Sequence, residues 1–421
     1  MRRDRQISRV PTSPQSPHPT AQVLATPAVR FFLLARFATI FGRSLIAAML
    51  SYHLFVVTDS YAVLGLLGLV EFLPVIPVSL LAGVVADRVD RRSLLLYAAF
   101  AGLAGCTGLT WIAWQNPESV TALMLVAFAL AIVVGFSRPA GSALLPNLVP
   151  AGIFQNAVVV ESCVAQVALI TGPITMGFLV AFFGLVAPYA LAMLFYVLAI
   201  LALFFLRAPS TRGTKSPISW QAAREGISFV WTHQPILGSV TLDMFAVIFA
   251  GATALLPVYA EEILQVGPEG YGFLRAAMAV GAFTMALVLM VRQPFVRPGR
   301  ALLVAVFFFG VATIVFGLSR SLPLSLLAFA VAGMADQISV TTRSVILQLS
   351  TPDDLRGRVN SVNFIFIGAS NELGDAESGF LASLTSATFA VVAGGFACLG
   401  VLGWVGIRMP ELRDYRPSAR R

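Results

Sequence analysis

Several charged side chains stand inside stretches of this chain that are otherwise apolar: Arg43, Glu71, Asp243, Asp336, Glu372, Asp375 and Glu377. A charge at the centre of an apolar span costs about 2.5–3.5 kcal/mol on insertion scales, so each is a candidate for function. The densest group is Ser370-Asn-Glu372-Leu-Gly374-Asp375-Ala-Glu377-Ser-Gly379. On a helix, Glu372 and Asp375 share a face. Carboxylates crowded in a low-dielectric setting share protons rather than ionise together, which suits reversible binding of a proton or another cation. The structural alternative is that one acid bonds Arg43 or Arg275 while another faces water. Counted at about 1.5 Å per residue, Arg43 and Glu71 reach similar depths. They either form a permanent pair or face a cavity together. Asp336 and Asp243 are further candidates, and Glu161 suits structural bonds. Arg36 can snorkel to the nearest headgroups, and His53 reads as a surface histidine at a helix end.

The elements that must position these residues are membrane spans. Hydrophobic residues make up 58% of the 421, and charged residues 11%, where a soluble domain carries about 25% charged. The mean hydropathy is +0.85. Apolar segments fall near 29–57, 62–86, 93–114, 120–140, 155–180, 183–206, 236–260, 271–291, 301–319, 324–349, 360–383 and 387–408. With no water in the bilayer core to satisfy backbone groups, each must be helical, so the fold class is an all-α membrane protein.

The arginines sort the loops. Alternate loops gather Arg2, Arg3, Arg5, Arg9 and Arg30; Arg88, Arg91 and Arg92; Arg207, Arg212, Lys215 and Arg224; Arg292, Arg297 and Arg300; Arg356 and Arg358; and Arg408, Arg413, Arg416, Arg420 and Arg421. The other set of loops holds Arg320 alone. Positive loops are retained inside, so both termini are expected to be cytoplasmic. The net charge of +8 then reflects topology and lipid headgroups rather than nucleic acid.

The expected organisation is a disordered, Pro-rich cytoplasmic tail at 1–28, helical sets at 29–206 and 236–409, a linker at 207–235 and a cytoplasmic tail at 410–421. In the linker Trp220, Ala223, Ile227, Val230 and Trp231 recur at helical spacing, which predicts an amphipathic surface helix. A shift of 202 residues aligns Pro150 with Pro352, Gly172 with Gly374 and Gly177 with Gly379, a weak internal repeat. Pro74 and Pro77 predict a kink in the second span, and Gly172-Pro173 a break in the fifth. Trp111 and Trp114 suit an interfacial belt.

Cys106, Cys163 and Cys398 each lie in an apolar run, with neither disulfide nor metal spacing. No nucleotide-binding loop or nucleophile–base pair supports an enzyme, and no cofactor is expected. No sizeable soluble domain supports a receptor.

Between the second and third spans runs Gly83-Val-Val-Ala-Asp87-Arg88-Val-Asp90-Arg91-Arg92. It resembles the loop signature of the major facilitator superfamily, with Asp90 where that signature has glycine. Phe136-Ser-Arg138-Pro139-Ala-Gly-Ser-Ala-Leu-Leu-Pro146-Asn-Leu-Val-Pro150 and Arg343-Ser-Val-Ile-Leu-Gln348-Leu-Ser-Thr-Pro352-Asp-Asp-Leu-Arg356-Gly357-Arg358-Val359 are similar to paired stretches of its enterobactin-exporter-like branch. So is Leu54-Phe-Val-Val-Thr58-Asp-Ser60. Gly141 stands where the branch has arginine, with Arg138 one helical turn earlier. Ala131 replaces the arginine of a proton-antiporter signature, and Ala168-x-x-x-Gly172-Pro173-x-x-Met176-Gly177 keeps only part of another.

The resemblance implies twelve transmembrane helices in two six-helix halves around a central cavity. It also implies a cytoplasmic latch formed by Gly83, Asp87, Arg88, Arg91, Arg92, Arg138, Arg343, Arg356 and Arg358. Asp87 would meet the positive end of the eleventh helix, holding the outward-open state. The function expected is export of small amphipathic molecules, drugs or siderophore-like metabolites, by alternating access with proton coupling. The alternative is uptake or lipid movement on the same fold. Expected partners are the substrate, protons and membrane lipids, with the protein a monomer in a bacterial inner membrane.

Overall fold

The computed structural model describes residues 19–75, 77–78, 89–207, 220–293, 295–352 and 355–416. Every regular element among them is helical. We label α1 (Pro27–Thr58), α2 (Tyr61–Phe72), α3 (Arg91–Gln115), α4 (Val120–Leu144), α5 (Phe154–Phe183) and α6 (Val186–Phe205). After the helix Trp220–Thr232 come α7 (Gln234–Ala250), α8 (Gly267–Val291), α9 (Pro298–Leu318), α10 (Leu322–Ser350), α11 (Arg356–Leu384) and α12 (Ala387–Arg408).

Each apolar segment read from the sequence thus contains a helix, and ten helical stretches are long and apolar enough to cross a membrane. The other two have different reasons for falling short. The described part of α2 is apolar but only 12 residues long, and α11 has 29 residues but carries the acidic cluster. Large apolar side chains such as Trp111 (60% exposed), Trp114 (70%) and Phe183 (73%) face outward, as lipid contact allows.

The local sequence explains several element boundaries. Asp90 caps α3, its carboxylate accepting from the Ser93 backbone N–H at 3.1 Å. That is a use for an acid at a position where the loop signature has glycine. Arg92 donates to the carbonyls of Leu203 and Phe204, 2.8 Å each, and so satisfies the last turn of α6.

The break expected in the fifth span is absent: α5 runs unbroken through Pro173. Proline removes the donor for the Leu169 carbonyl, and Ser44 of α1 donates its hydroxyl there at 3.5 Å. The interruption falls instead in the seventh span. After Gly251-Ala252 the chain passes through a 3₁₀ turn and ends in a π-helical turn, Tyr259–Ile263. Side chains of α11 satisfy the freed backbone: Ser378 donates to Gly251 O at 3.1 Å, and Asp375 accepts from Ala254 N–H at 3.1 Å.

Glycines zip the first six helices to the last six. A Cβ on Gly379 of α11 would lie 2.3 Å from the Gly65 nitrogen of α2, and one on Gly68 would lie 2.7 Å from Ala376 N. In the α5–α8 seam a Cβ on Gly177 would meet Pro268 O at 2.4 Å, and one on Gly272 would meet Pro173 O at 2.5 Å. The residues aligned by the 202-residue shift make matching contacts. Gly172 packs on Ser44 of α1 as Gly374 packs on Val247 and Ile248 of α7. All these seams lie toward the arginine-poor end of the bundle. The helix Trp220–Thr232 packs through Val230 onto Ile236, Val240, Leu347, Val359 and Val362.

Candidate functional site: a charged chamber between two helix sets

Where the α2–α11 seam meets α1, α7 and α8, a polar chamber of about 30 Å³ is enclosed by Ala47, Ser51, Leu64, Leu67, Gly68, Glu71, Ala254, Arg275 and Asp375. That is room for a water or two. Close backbone packing at Gly68 brings α2 against α11, so Glu71, one turn further along α2, meets the acidic cluster. Glu71 stands beside Glu372 and faces Asp375 and Arg275. Ionised carboxylates are acceptors only, so a carboxyl–carboxyl hydrogen bond requires a proton on one partner.

Arg275 enters the chamber from α8. Its Nη1 donates to the Tyr271 hydroxyl at 3.0 Å, and that hydroxyl donates to the Ala48 carbonyl of α1 at 3.0 Å. The depth argument that set Arg43 beside Glu71 thus finds Arg275 in that place; Arg43 lies near Tyr196. Arg275 entered the sequence argument only as a possible partner of the acids. Its position inside the eighth span was the signal that merited more weight.

Two further bonds close the arginine-poor end above the chamber. Tyr52 of α1 donates to Glu261 at 2.6 Å, and Tyr61 of α2 donates to Glu262 at 2.5 Å. Both acids sit on the π-helical turn after α7. Sequence reasoning passed over them because they lie at the apolar edge of a span, where a charge carries little penalty. Glu377, half-buried, lies 3.5 Å from the Ser378 hydroxyl and does not line the chamber.

Asp243 and Asp336 lie elsewhere. Asp243 on α7 forms an ion pair with Arg343 on α10, both nearly inaccessible, and accepts from Ser339 at 3.1 Å. Asp336 stands near this pair. Arg343, expected in the cytoplasmic latch, is therefore held within the last six helices. Arg358 pairs instead with Glu225 of the helix Trp220–Thr232. Gly83, Asp87 and Arg88 lie outside the described residues, as do the side chains of Arg138 and Arg356.

Two residues differ from expectation. His53 is fully buried, its Nδ1 3.2 Å from the Tyr189 hydroxyl, because helix α1 runs through the centre of its helix set. Arg36 pairs with Glu161 at 2.9 Å rather than snorkelling. Its guanidinium lies against Gly141, where a Cβ would come within 2.8 Å of Nη1. A larger cavity of about 470 Å³, lined by Phe245, Phe249, Ala397, Gly400, Val401 and Trp404, is wholly apolar.

Among the described residues no group of three or more His, Cys, Asp or Glu is arranged to hold a metal ion.

Comparison with known proteins bears on the family and the fold. The family described as transmembrane secretion effector matches residues 20–420. The enterobactin exporter EntS of Escherichia coli O1:K1 is 25% identical over 394 residues, covering 93% of this chain and 94% of the exporter. EntS of Shigella boydii serotype 4 aligns with the same identity and coverage, 25% over 394 residues. Among solved structures, a POT family transporter in complex with 5-aminolevulinic acid superposes with a TM-score of 0.71 at 13% identity, covering 91% of this chain and 96% of that one. The human organic anion transporter MFSD10 gives 0.64 at 14% identity, covering 92% and 100%. A bacterial homologue of the human lysosomal transporter Spinster, inward-facing and unoccupied, gives 0.63 at 16%, covering 94% and 97%.

Proposed function

Since the chain belongs to the transmembrane secretion effector family of the major facilitator superfamily, it is a multi-pass secondary transporter and not an enzyme, and we propose that it exports small amphipathic molecules by alternating access driven by inward proton flow. The observation that carries the coupling is the meeting of Glu71 of α2 with Glu372 and Asp375 of α11 across the glycine-packed seam. A hydrogen bond between two such carboxyls requires a proton on one of them. A proton taken up from outside lets these carboxyls meet and the outer end close. Its release inward leaves two like charges in a low-dielectric seam, which drives that end apart again. Asp375 lines the chamber together with Glu71, with Glu372 beside them.

Export, rather than uptake or lipid movement, is supported by the family description and by the enterobactin exporters, which align along nearly the whole chain. Drugs and siderophore-like metabolites are the substrate classes proposed on that basis. The arginine asymmetry supports cytoplasmic termini and, for a relative of bacterial exporters, a bacterial inner membrane. With that sidedness, the bonds Tyr52–Glu261 and Tyr61–Glu262 close the outer end, as in an inward-facing state. The chain is proposed to act as a monomer, as two six-helix halves, with lipids as its other partners.

The test is accumulation of a fluorescent cationic dye in cells expressing the protein, before and after the proton gradient is collapsed. Wild-type cells are expected to hold less dye, and both gradient collapse and the double substitution Glu71→Gln/Glu372→Gln should abolish the difference. Export that survives the substitution would overturn the assignment of the coupling pair. If no dye effect is seen, the same comparison with a catechol siderophore separates a narrow exporter from a protein that does not export.

A further inference from the structure

We propose that Arg275 is a positioning residue of the transport cycle, a guanidinium whose charge lets carboxyls from both helix sets meet when the arginine-poor end closes. The inference holds for any cargo and either direction of flux, and rests only on alternating access.

Carboxyls from both helix sets crowd at the chamber. Glu71 comes from α2, and Glu372 and Asp375 come from α11. The glycine contacts of the α2–α11 seam hold the two backbones so close that these acids cannot move apart while the seam is shut. One proton shared between Glu71 and Glu372 leaves further negative charge in a space without bulk water. Arg275 faces both Glu71 and Asp375.

Its orientation is set by a relay that also crosses between the sets. Tyr271, one helical turn before it on α8, receives its hydrogen bond and passes one to Ala48 of α1. Tyr271 is fully buried and stacks on Tyr52 at 5.5 Å between ring centroids. The guanidinium is thus fixed to both sets, and opening the seam withdraws Glu71 from it.

The titratable groups facing Arg275 are Glu71 of α2, Tyr271 of α8 and Asp375 of α11, with Glu372 beside Glu71. Tyr52 of α1 stands beside Tyr271, with Glu261 and Glu269 around it, and Arg43 of α1 lies near Tyr196. On α10 and α5, which also pack on α8, Arg343 pairs with Asp243 near Asp336, and Glu161 pairs with Arg36. Without Arg275 the closed state can tolerate its carboxyls only if more of them are protonated. The open state exposes them to water, where their ionised forms are solvated. The closed state then binds more protons than the open one, so rising pH opens the seam, and it does so at lower pH than in the wild type.

The experiment measures distances between spin labels at Ser60→Cys and Leu384→Cys, across the end of the α2–α11 seam. The full chain is held in lipid nanodiscs, and Cys106, Cys163 and Cys398 are replaced by alanine. Between about pH 6 and about pH 8, conditions above the ordinary carboxylate range, the wild-type label pair should stay predominantly at short distance. Arg275→Gln should lower the ratio of short to long distances at the upper pH by on the order of tenfold or more, since a unit charge is lost in a low-dielectric site. Arg275→Gln/Glu71→Gln should recover most of the short-distance population, because one opposing charge has gone with the guanidinium. Arg275→Lys should keep it. A merely structural arginine would show no rescue by the second substitution.

If Arg275→Gln keeps the wild-type ratio across the range, or the double variant is no more closed than the single, the proposal is overturned. Should Arg275→Gln fail to fold, Glu71→Gln alone decides. Above about pH 8, where rising pH opens the wild-type seam, Glu71→Gln should keep the short distance, and opening at the wild-type pH would equally overturn the proposal. No transport is measured, so the outcome is independent of whether the protein exports.

Discussion

At the scale of single residues, the buried charges differ in kind according to what surrounds them. Arg343 and Asp243 form a buried pair on neighbouring helices, 2% and 5% exposed, with Asp336 nearby. Removing one partner strands the other. Asp243→Asn is therefore expected to cost about 3–5 kcal/mol, seen as a lowered melting temperature of the purified protein in detergent. The contrast is Arg358–Glu225, whose side chains are 41% and 43% exposed. Glu225→Gln should cost less than about 1 kcal/mol in the same assay, because water already screens that pair. Equal losses would show that burial is not what separates them. Arg275, Glu71, Glu372 and Asp375 are a third kind, a set divided between helices that must part. Charge count alone on the sequence could not separate these three kinds, since each stands in an apolar run.

At the scale of helices, smallness is the sequence property that does most at the seams. Gly65, Gly68 and Gly379 let α2 and α11 approach backbone to backbone, and Gly177 and Gly272 do the same for α5 and α8. A Cβ added to Gly379 would meet backbone atoms, which cannot rotate away. Gly379→Ala should thus separate α2 from α11 and abolish transport while leaving the protein folded. Spin-label distances across that seam and unchanged helical circular dichroism check this together, and normal transport would refute it. The irregular seventh span belongs at this scale as well. Its freed carbonyl and amide are taken by Ser378 and Asp375, which ties the break in α7 to the acidic helix α11. Nothing in the residues 251–263 signals that break as plainly as Gly172-Pro173 signals one, yet α5 stays continuous. Proline costs a helix one donor, and a hydroxyl on α1 supplies it.

At the scale of the whole molecule, and among the described residues, the contacts joining the first six helices to the last six gather at one end, around Tyr52, Tyr61, Tyr271 and the paired glycines. If the arginine-poor end faces outward, a cysteine at Arg320 should react with a membrane-impermeant maleimide added to intact cells, and one at Arg297 should not. The reverse pattern would invert the proposed orientation, and with it the sense in which the Glu71–Glu372 contact carries protons.

The sequence by itself determined the helical class, the number and limits of the apolar segments, and the set of intramembrane charges worth asking about. These depend on hydropathy and backbone satisfaction in lipid, which act locally and leave a pattern along the chain. It also showed the acidic cluster on α11, because three acids in six positions are visible without a fold. Which charge meets which was decided only by tertiary structure. Glu71 and Arg275 are far apart in the chain, and Arg36, His53 and Arg343 found partners that burial within the helix sets selected. Pairing depends on helix rotation and on the distance between axes, and those are set by glycine contacts made with residues hundreds of positions away.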